Sequence, residues 1–146
     1  MSDPEVMKNT GFKEPQEDDA INACLNRWTR EVLTDYGVWC VEDPSAKKCV
    51  AWFMLKMTEF EVPELGFMVS RRYWGQGIAT EAGAKLIQHG FEDLNQEGIV
   101  AIVNDDNAAS IRVLEKLGMS LNRDFSRIKN GKQILQYQSN NPLVKN

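Results

Sequence analysis

Two glycines at residues 75 and 77 mark the part of the chain best suited to a chemical task. The segment at residues 72–81 reads RYWGQGIATE, follows a strand-like run and opens a helix-like one. Gly75 and Gly77 let the backbone turn tightly and direct several N–H groups at one point. The free N–H groups and partial positive charge of the helix start favour an anion there. The segment therefore predicts a site for a diphosphate.

The runs before this loop indicate one helix and three strands. Apolar residues recur at helical spacing over residues 17–36, and strand-like runs follow at residues 38–41, 49–55 and 65–69. The helix after the loop ends near residues 95–98. Its small residues at 79, 82 and 83 predict that its first turns lie close to a sheet.

The second half of the chain adds a central strand, a second helix and a hairpin. Residues 99–103 are continuously apolar, as in a strand covered on both faces. Residues 104–107 can cap a helix that ends at Gly118, and Asn130-Gly131 is a strong hairpin signal. The order of elements predicts an α+β fold with a mixed central sheet flanked by helices, in one domain over residues 1–146.

Composition excludes several classes of function. The net charge of −4, without a cluster of Lys and Arg, argues against nucleic acid and mildly favours cationic partners such as amines. No apolar run approaches the ~20 residues of a membrane helix. The chain has three cysteines, Cys24, Cys40 and Cys49, which is an odd number, and they lack CxxC spacing. This pattern predicts small buried residues without a disulfide or a metal site, in a protein of the reducing cytoplasm.

Two motifs together resemble the GNAT acyltransferase superfamily, and within it the RimJ/RimL group of protein N-terminal acetyltransferases. The first is RxxGxGxA at residues 72–79, and the second is NxxSxxxxEKLG at residues 107–118. A dinucleotide-binding GxGxxG would need a glycine where Thr80 stands, and repeated βα units. The resemblance covers roughly residues 3–137 and implies the GNAT fold, with strands splayed at the cofactor site. It also implies acetyl-CoA as the acyl donor, without a metal.

The resemblance carries cofactor contacts over to particular positions. The glycine loop would hold the diphosphate, and the strand before it would pair with the pantetheine arm, often at a bulge with which Gly66 is compatible. Local sequence leaves Asn107 equally suited to be a helix N-cap. The expected cofactor-binding residues are Phe67, Met68, Val69, Arg72, Gly75, Gln76, Gly77, Ile78, Ala79, Thr80, Asn107 and Ser110.

Glu64 and Ser110 are the catalytic residues that the resemblance implies. Glu64 begins a Glu-x-Gly-aromatic run and would act as general base. Ser110 would donate a proton to the leaving thiolate, because Leu114 stands where many relatives carry a tyrosine. A solvated carboxylate at the end of a strand is an equally good interpretation of Glu64. Glu59 and Glu61 are close enough in sequence to serve as substitute bases or as anchors for the substrate amine. The backbone N–H of Met68 or Val69 would stabilise the oxyanion.

The expected reaction is direct acetyl transfer to a primary amine. A protein N-terminal α-amine, with a pKa near 7.7–8.0, loses its proton more easily than a lysine-type amine near 10.4. A polyamine, an amino sugar or an antibiotic is the alternative acceptor, and a catalytically weak acetyl-CoA-binding module is the alternative function.

The N-terminal region departs from the RimL-like pattern. Residues 1–15 lack strand alternation and contain Pro4, Gly11 and Pro15, so they predict a shortened domain without the usual first strand. The sheet edge near residues 38–41 would then be exposed, irregularly capped or paired in a homodimer.

Overall fold

A mixed β-sheet is the central element of the fold. The computed structural model describes residues 3–7, 36–59 and 61–144. The strands are β1 Gly37–Asp43, β2 Lys48–Met57, β3 Pro63–Val69, β4 Gly98–Asn104, β5 Ser120–Leu121, β6 Arg127–Lys129 and β7 Lys132–Asn140. The helices are α1 Pro4–Met7, α2 Ile78–Glu92 and α3 Ala108–Lys116, with a 3-10 turn at Arg71–Tyr73. The strand order is β1-β2-β3-β4-β7-β5, and β6 pairs with β7.

The parallel pair β3–β4 opens along its length. Among the described residues these strands pair only at Glu64 and Val100, whereas β2 and β3 stay in continuous antiparallel register. The splay that the resemblance implied is therefore present, without a bulge between β2 and β3. Gly66 has a packing role instead, because a Cβ atom there would lie 2.9 Å from the Cε atom of Met54.

The core lies between one face of the sheet and helices α2 and α3. Alternate residues of β2 and β3, among them Phe53, Leu55 and Leu65, are almost fully buried on that face. Gly90 brings α2 close to β4, since a Cβ atom there would lie 2.7 Å from Ile99 Cδ1. The small residue at 83 was expected to face the sheet, but Gly83 makes room for Leu117 at the end of α3.

Turns and caps follow the sequence signals. Asn107 Oδ1 accepts a hydrogen bond from Ser110 N at 3.2 Å and caps α3, and Gly118 ends the helix with φ of 76°. Asn130 and Gly131 have φ of 53° and 75°, which both central residues of a type I′ hairpin turn require. These local signals work because each depends on residues adjacent in the chain.

The prediction for two of the cysteines was wrong. Cys40 and Cys49 form a disulfide and are exposed. The register shifts between β1 and β2, so that Val50 is an extra residue in β2. This bulge reverses the alternation of side chains and brings Cys49 to the face that carries Cys40. Sequence spacing does not reveal a bulge, so the pairing was missed.

Some predictions fall on residues that the structure does not describe. The helix at residues 17–36 lies almost wholly outside the described ranges, as do Cys24 and residues 8–15. Within the N-terminal segment, Pro4–Met7 forms the short helix α1. None of the helices in the described ranges combines the length and apolar character that crossing a bilayer requires.

Candidate functional site

A cleft of about 450 Å³ opens where β3 and β4 diverge. Its walls are the end of β3, the glycine loop with the first turn of α2, the exposed face of α3, and α1. The lining residues are Glu5, Val6, Phe67, Met68, Val69, Tyr73, Trp74, Gly75, Gly77, Ile78, Ala79, Thr80, Asn107, Ala109, Ser110, Arg112, Val113 and Lys116.

Most of the residues expected at the cofactor site meet in this cleft. The end of β3, the glycines, the first turn of α2, Asn107 and Ser110 all line it. Arg72 and Gln76 do not. The Gln76 side-chain amide donates instead to the Arg72 carbonyl oxygen at 3.2 Å, which closes the loop on itself. Glu64 is also absent from the lining.

The glycine loop adopts the conformation that its sequence requires. Gly75 and Gly77 have φ of 73° and 79°, in the left-handed region that favours glycine. Gly77 is the N-cap of α2, and the space beside both glycines is open. The first N–H groups of α2 have no partner within the helix. This loop can therefore receive an anion close to its backbone.

Two aromatic side chains fix the loop to the sheet. Trp74 Nε1 donates to the Val69 carbonyl oxygen at 2.8 Å, and the Tyr73 hydroxyl donates to Asp43 Oδ2 at 2.8 Å. Hydrogen bonds from the Ser45 side chain, first, and from Tyr73 lower the pKa of Asp43 to about 2. The bond to Asp43 also raises the pKa of Tyr73. Sequence reasoning missed both aromatic residues as part of the site.

Helix α3 contributes a whole face to the cleft. Ala109, Arg112, Val113 and Lys116 recur at helical spacing and line it, as does Ser110. Sequence reasoning missed these four, although their spacing was a usable signal. The two cations on this face favour an anionic ligand.

Leu114 lies outside the cleft, whereas helix α1 contributes two residues to its lining. Leu114, at the position where many relatives carry a tyrosine, is 1% exposed and belongs to the core. Its side chain therefore cannot serve the cleft. Helix α1 adds Val6 and the acidic Glu5 to the lining.

Glu64 lies at the start of β3 in a half-buried position. Burial raises its pKa, the nearby Glu59 raises it further, and Lys129 and Lys56 oppose the rise. Lys56 is its partner across β2 and β3. Glu64 precedes Phe67 by three residues, which is about 10 Å along a strand. The carboxylate is thus near the cleft but not in its wall.

Within the described ranges, no three His, Cys, Asp or Glu residues are grouped so as to hold a metal ion. His89 instead contacts Asp93 Oδ2 through Nδ1 at 2.6 Å and meets Trp39 edge to face.

Comparison with known proteins identifies the family. The family described as "Acetyltransferase (GNAT) domain" matches residues 1–120. The uncharacterized protein YkkB of Bacillus subtilis is 30% identical over 132 residues, which cover 86% of this chain and 74% of that protein. The FsC-acetyl coenzyme A-N(2)-transacetylase of Aspergillus fumigatus is 30% identical over 131 residues, covering 81% of this chain and 54% of that enzyme.

A solved structure shows the same fold. The acetyltransferase (GNAT family) from Bacillus anthracis superposes with a TM-score of 0.80 at 22% identity, covering 96% of this chain and 84% of that one. The mixed sheet with a cleft between splayed strands agrees with this likeness. GNAT acetyltransferases use acetyl-CoA as the acyl donor. The chain is an N-acetyltransferase of the GNAT family.

Proposed function

We propose that the enzyme binds acetyl-CoA in the cleft between β3 and β4 and transfers the acetyl group directly to a primary amine. The observation that carries this proposal is the joint lining of one cleft by the glycine loop, the end of β3 and the start of α3. The diphosphate would accept hydrogen bonds from the N–H groups of the loop and of the first turn of α2. Arg72 and Gln76 would contribute through their loop backbone.

The pantetheine arm would extend along the free edge of β3. Among the described residues β3 pairs with β4 only at Glu64, so those backbone groups of residues 67–69 that point away from β2 are open to amides of the arm, apart from the Val69 carbonyl, which accepts from Trp74. Asn107 uses Oδ1 to cap α3, which leaves its Nδ2 group to donate to the arm. Both roles proposed for Asn107 are thus compatible in one side chain.

Catalysis would depend on Ser110 and Glu64. Ser110 lines the cleft, and its hydroxyl is the proposed proton donor to the CoA thiolate, because Leu114 is buried. Glu64 is the proposed general base. Since it lies outside the cleft wall, we propose that it acts through one water molecule. An N–H of Met68 or Val69 would stabilise the tetrahedral oxyanion.

The amine deprotonates before or as it attacks the thioester carbon. Its nitrogen forms the new amide bond and the protons it loses pass through the water to Glu64 and on to solvent. The carbon–sulfur bond breaks, and the thiolate takes a proton from Ser110, which regains one from solvent. Alignment of the amine with the thioester supplies much of the expected rate enhancement. No covalent acyl-enzyme is needed.

The acceptor that we favour is a protein or peptide N-terminal α-amine. Similarity of the two motifs to the RimJ/RimL group supports it. Among the described residues, Glu64 is influenced by one negative charge, on Glu59, and by two positive charges, on Lys56 and Lys129. The Glu59 carboxylate is itself paired with the Arg127 guanidinium at 2.7 Å. A polyamine would gain more from a uniformly acidic surface. A small amine remains the second candidate, because the A. fumigatus relative is named for N(2)-transacetylation of FsC.

We also propose a cellular location and an oligomeric state for the enzyme. A cytoplasmic location is proposed because three cysteines without CxxC spacing do not form the disulfide framework of a secreted domain. A homodimer is proposed because β1 pairs with β2 alone among the described strands, which suits its outer edge to a second copy.

Thiol release from acetyl-CoA tests the function directly. Purified enzyme is assayed against peptides with free N-termini, N-blocked peptides containing lysine, polyamines and amino sugars, with mass spectrometry of the product. Turnover on free N-termini only would support the favoured acceptor, and turnover on small amines would replace it. Tight acetyl-CoA binding without turnover on any panel would instead favour a binding module.

A further inference from the structure

The carboxylate of Asp43 connects the hairpin of β1 and β2 to the wall of the cleft. Asp43, the last residue of β1, uses Oδ1 to accept hydrogen bonds from Ser45 N at 2.9 Å, Ser45 Oγ at 2.6 Å and Ala46 N at 3.3 Å. Its other oxygen, Oδ2, accepts the bond from Tyr73 at 2.8 Å. A single side chain thus holds the hairpin turn and also contacts the 3-10 turn.

Tyr73 links the position of the hairpin to the backbone conformation of the glycine loop. It ends the 3-10 turn, its N–H donates to the Ser70 carbonyl at 2.9 Å, and its side chain lines the cleft. Gly75, which needs a left-handed backbone, follows two residues later. Holding the Tyr73 hydroxyl therefore restrains the backbone that presents the loop N–H groups.

The exposed disulfide closes the same hairpin. Cys40 and Cys49 bracket Asp43 and the turn that it organises, with eight residues between the two cysteines in sequence. The bulge at Val50 places both sulfurs on the same face of the sheet. The bond links β1 to β2 at the edge of the sheet, three residues before Asp43 along β1.

We propose that Asp43 and Tyr73 are positioning residues for the acetyl-CoA site, and that the Cys40–Cys49 disulfide strengthens their effect until a dithiol reductant opens it. Reduction then frees the hairpin, loosens the Asp43–Tyr73 bond and weakens donor binding. The inference rests on the proposed function, because it takes the cleft as the acetyl-CoA site.

The redox step is an ordinary thiol–disulfide exchange. A thiolate of the dithiol attacks one exposed sulfur, the S–S bond breaks through a mixed disulfide, and the second thiol resolves it. Cys40 and Cys49 each gain one electron and one proton, and the dithiol is oxidised to its own disulfide. Disulfides of proteins in a reducing cytoplasm are mostly transient, which suits a regulated bond.

Calorimetry with acetyl-CoA tests the positioning role. Tyr73→Phe removes only the hydroxyl, and Asp43→Asn removes the charge. We expect each to raise the Kd and the KM for acetyl-CoA by about tenfold, the lower end of the usual effect of losing a hydrogen bond to a charged group, with kcat nearly unchanged. The double variant should be no worse than either single variant. Asp124→Asn, on the exposed segment after β5, is the matched control.

The same measurement on oxidised and dithiothreitol-reduced enzyme tests the redox role. Reduction should weaken binding to wild type by a similar factor, and Cys40→Ser with Cys49→Ser should bind like reduced wild type under both conditions. Reduction of the disulfide should cause no further loss of acetyl-CoA affinity in Tyr73→Phe. Thermal melting and thiol titration confirm folding and redox state.

The outcomes separate this inference from the proposed function. Wild type that does not bind acetyl-CoA would remove the donor site and the inference with it. Wild type that binds, with unchanged affinity in folded Tyr73→Phe, would overturn the positioning role alone. Binding that is equal in oxidised and reduced enzyme, or free thiols at residues 40 and 49 after aerobic purification, would overturn the redox role.

Discussion

The indole of Trp74 donates a hydrogen bond to the carbonyl oxygen of Val69, with 2.8 Å between Nε1 and O. Val69 is the last residue of β3, and Trp74 immediately precedes the first glycine of the loop. This bond joins the strand proposed to hold pantetheine to the loop proposed to hold the diphosphate. The two parts of the donor site therefore keep a fixed separation.

Trp74→Phe keeps an aromatic ring at that position and removes the donor. Because one hydrogen bond contributes about 1 kcal/mol, we expect the Kd for acetyl-CoA to rise about fivefold. The value of kcat should change less, since no reacting group is touched. Calorimetry and initial rates measure both quantities. A variant with the same stability and the same affinity as wild type would show that the bond does not organise the donor site.

Gly75→Glu should abolish acetyl-CoA binding. The new carboxylate would repel the diphosphate, and its side chain would occupy the space in which the phosphates lie. Gly131→Glu is a matched control, because Gly131 has φ of 75°, close to the 73° of Gly75, and open space around it in the β6–β7 hairpin. Both variants carry similar backbone strain. Equal affinity of the two for acetyl-CoA would place the diphosphate elsewhere.

Glu64→Gln should lower kcat by about 100-fold or more while leaving the Kd for acetyl-CoA unchanged, as expected for the loss of a general base. The carboxylate is the active form. The wild-type rate should therefore fall as the pH drops through the raised pKa of Glu64, above its ordinary value of 4.5. The variant should lack this acidic limb. Glu59→Gln is the control for the loss of a nearby negative charge. A pH–rate profile of Glu64→Gln that is identical to that of wild type would assign the base to another group.

The same substitution makes a separate prediction about stability. Burial raises the pKa of Glu64, so folding favours its protonated form, and the resulting stabilisation is complete below the unfolded value of 4.5 and is lost as the pH rises through the folded pKa. Gln resembles the protonated carboxyl. Glu64→Gln should therefore melt at a higher temperature than wild type at pH 7, and at nearly the same temperature below pH 4.5. A lower melting temperature for the variant at pH 7 would contradict the burial argument.

Substitutions at Asn107 separate its two roles. Asn107→Asp keeps an oxygen to accept from Ser110 N but loses the amide donor, so the cap should survive while acetyl-CoA binding weakens. Asn107→Ala should lose both, with a stability cost of about 1 kcal/mol for the cap. Thermal melts and calorimetry on both variants provide the comparison. Wild-type affinity in Asn107→Asp would limit this residue to capping.

The sequence by itself determined the elements that depend on neighbouring residues. Gly75 and Gly77 required a left-handed loop before a helix, and Asn107 and Gly118 marked the start and end of α3. The hairpin at Asn130-Gly131 formed as predicted. In each case the conformational preference is local, so a single sequence carries the information. The mixed sheet followed from the order of the elements, and its splay from the family resemblance.

Tertiary structure alone decided which distant groups meet. The bulge at Val50 brought Cys49 beside Cys40, and the hairpin brought Asp43 within hydrogen-bond distance of Tyr73, 30 residues later. Such contacts depend on strand register, which shifts every later side chain when one residue is added. The sequence thus determined the conformation of the glycine loop, and the packing of the sheet determined what holds that loop in place.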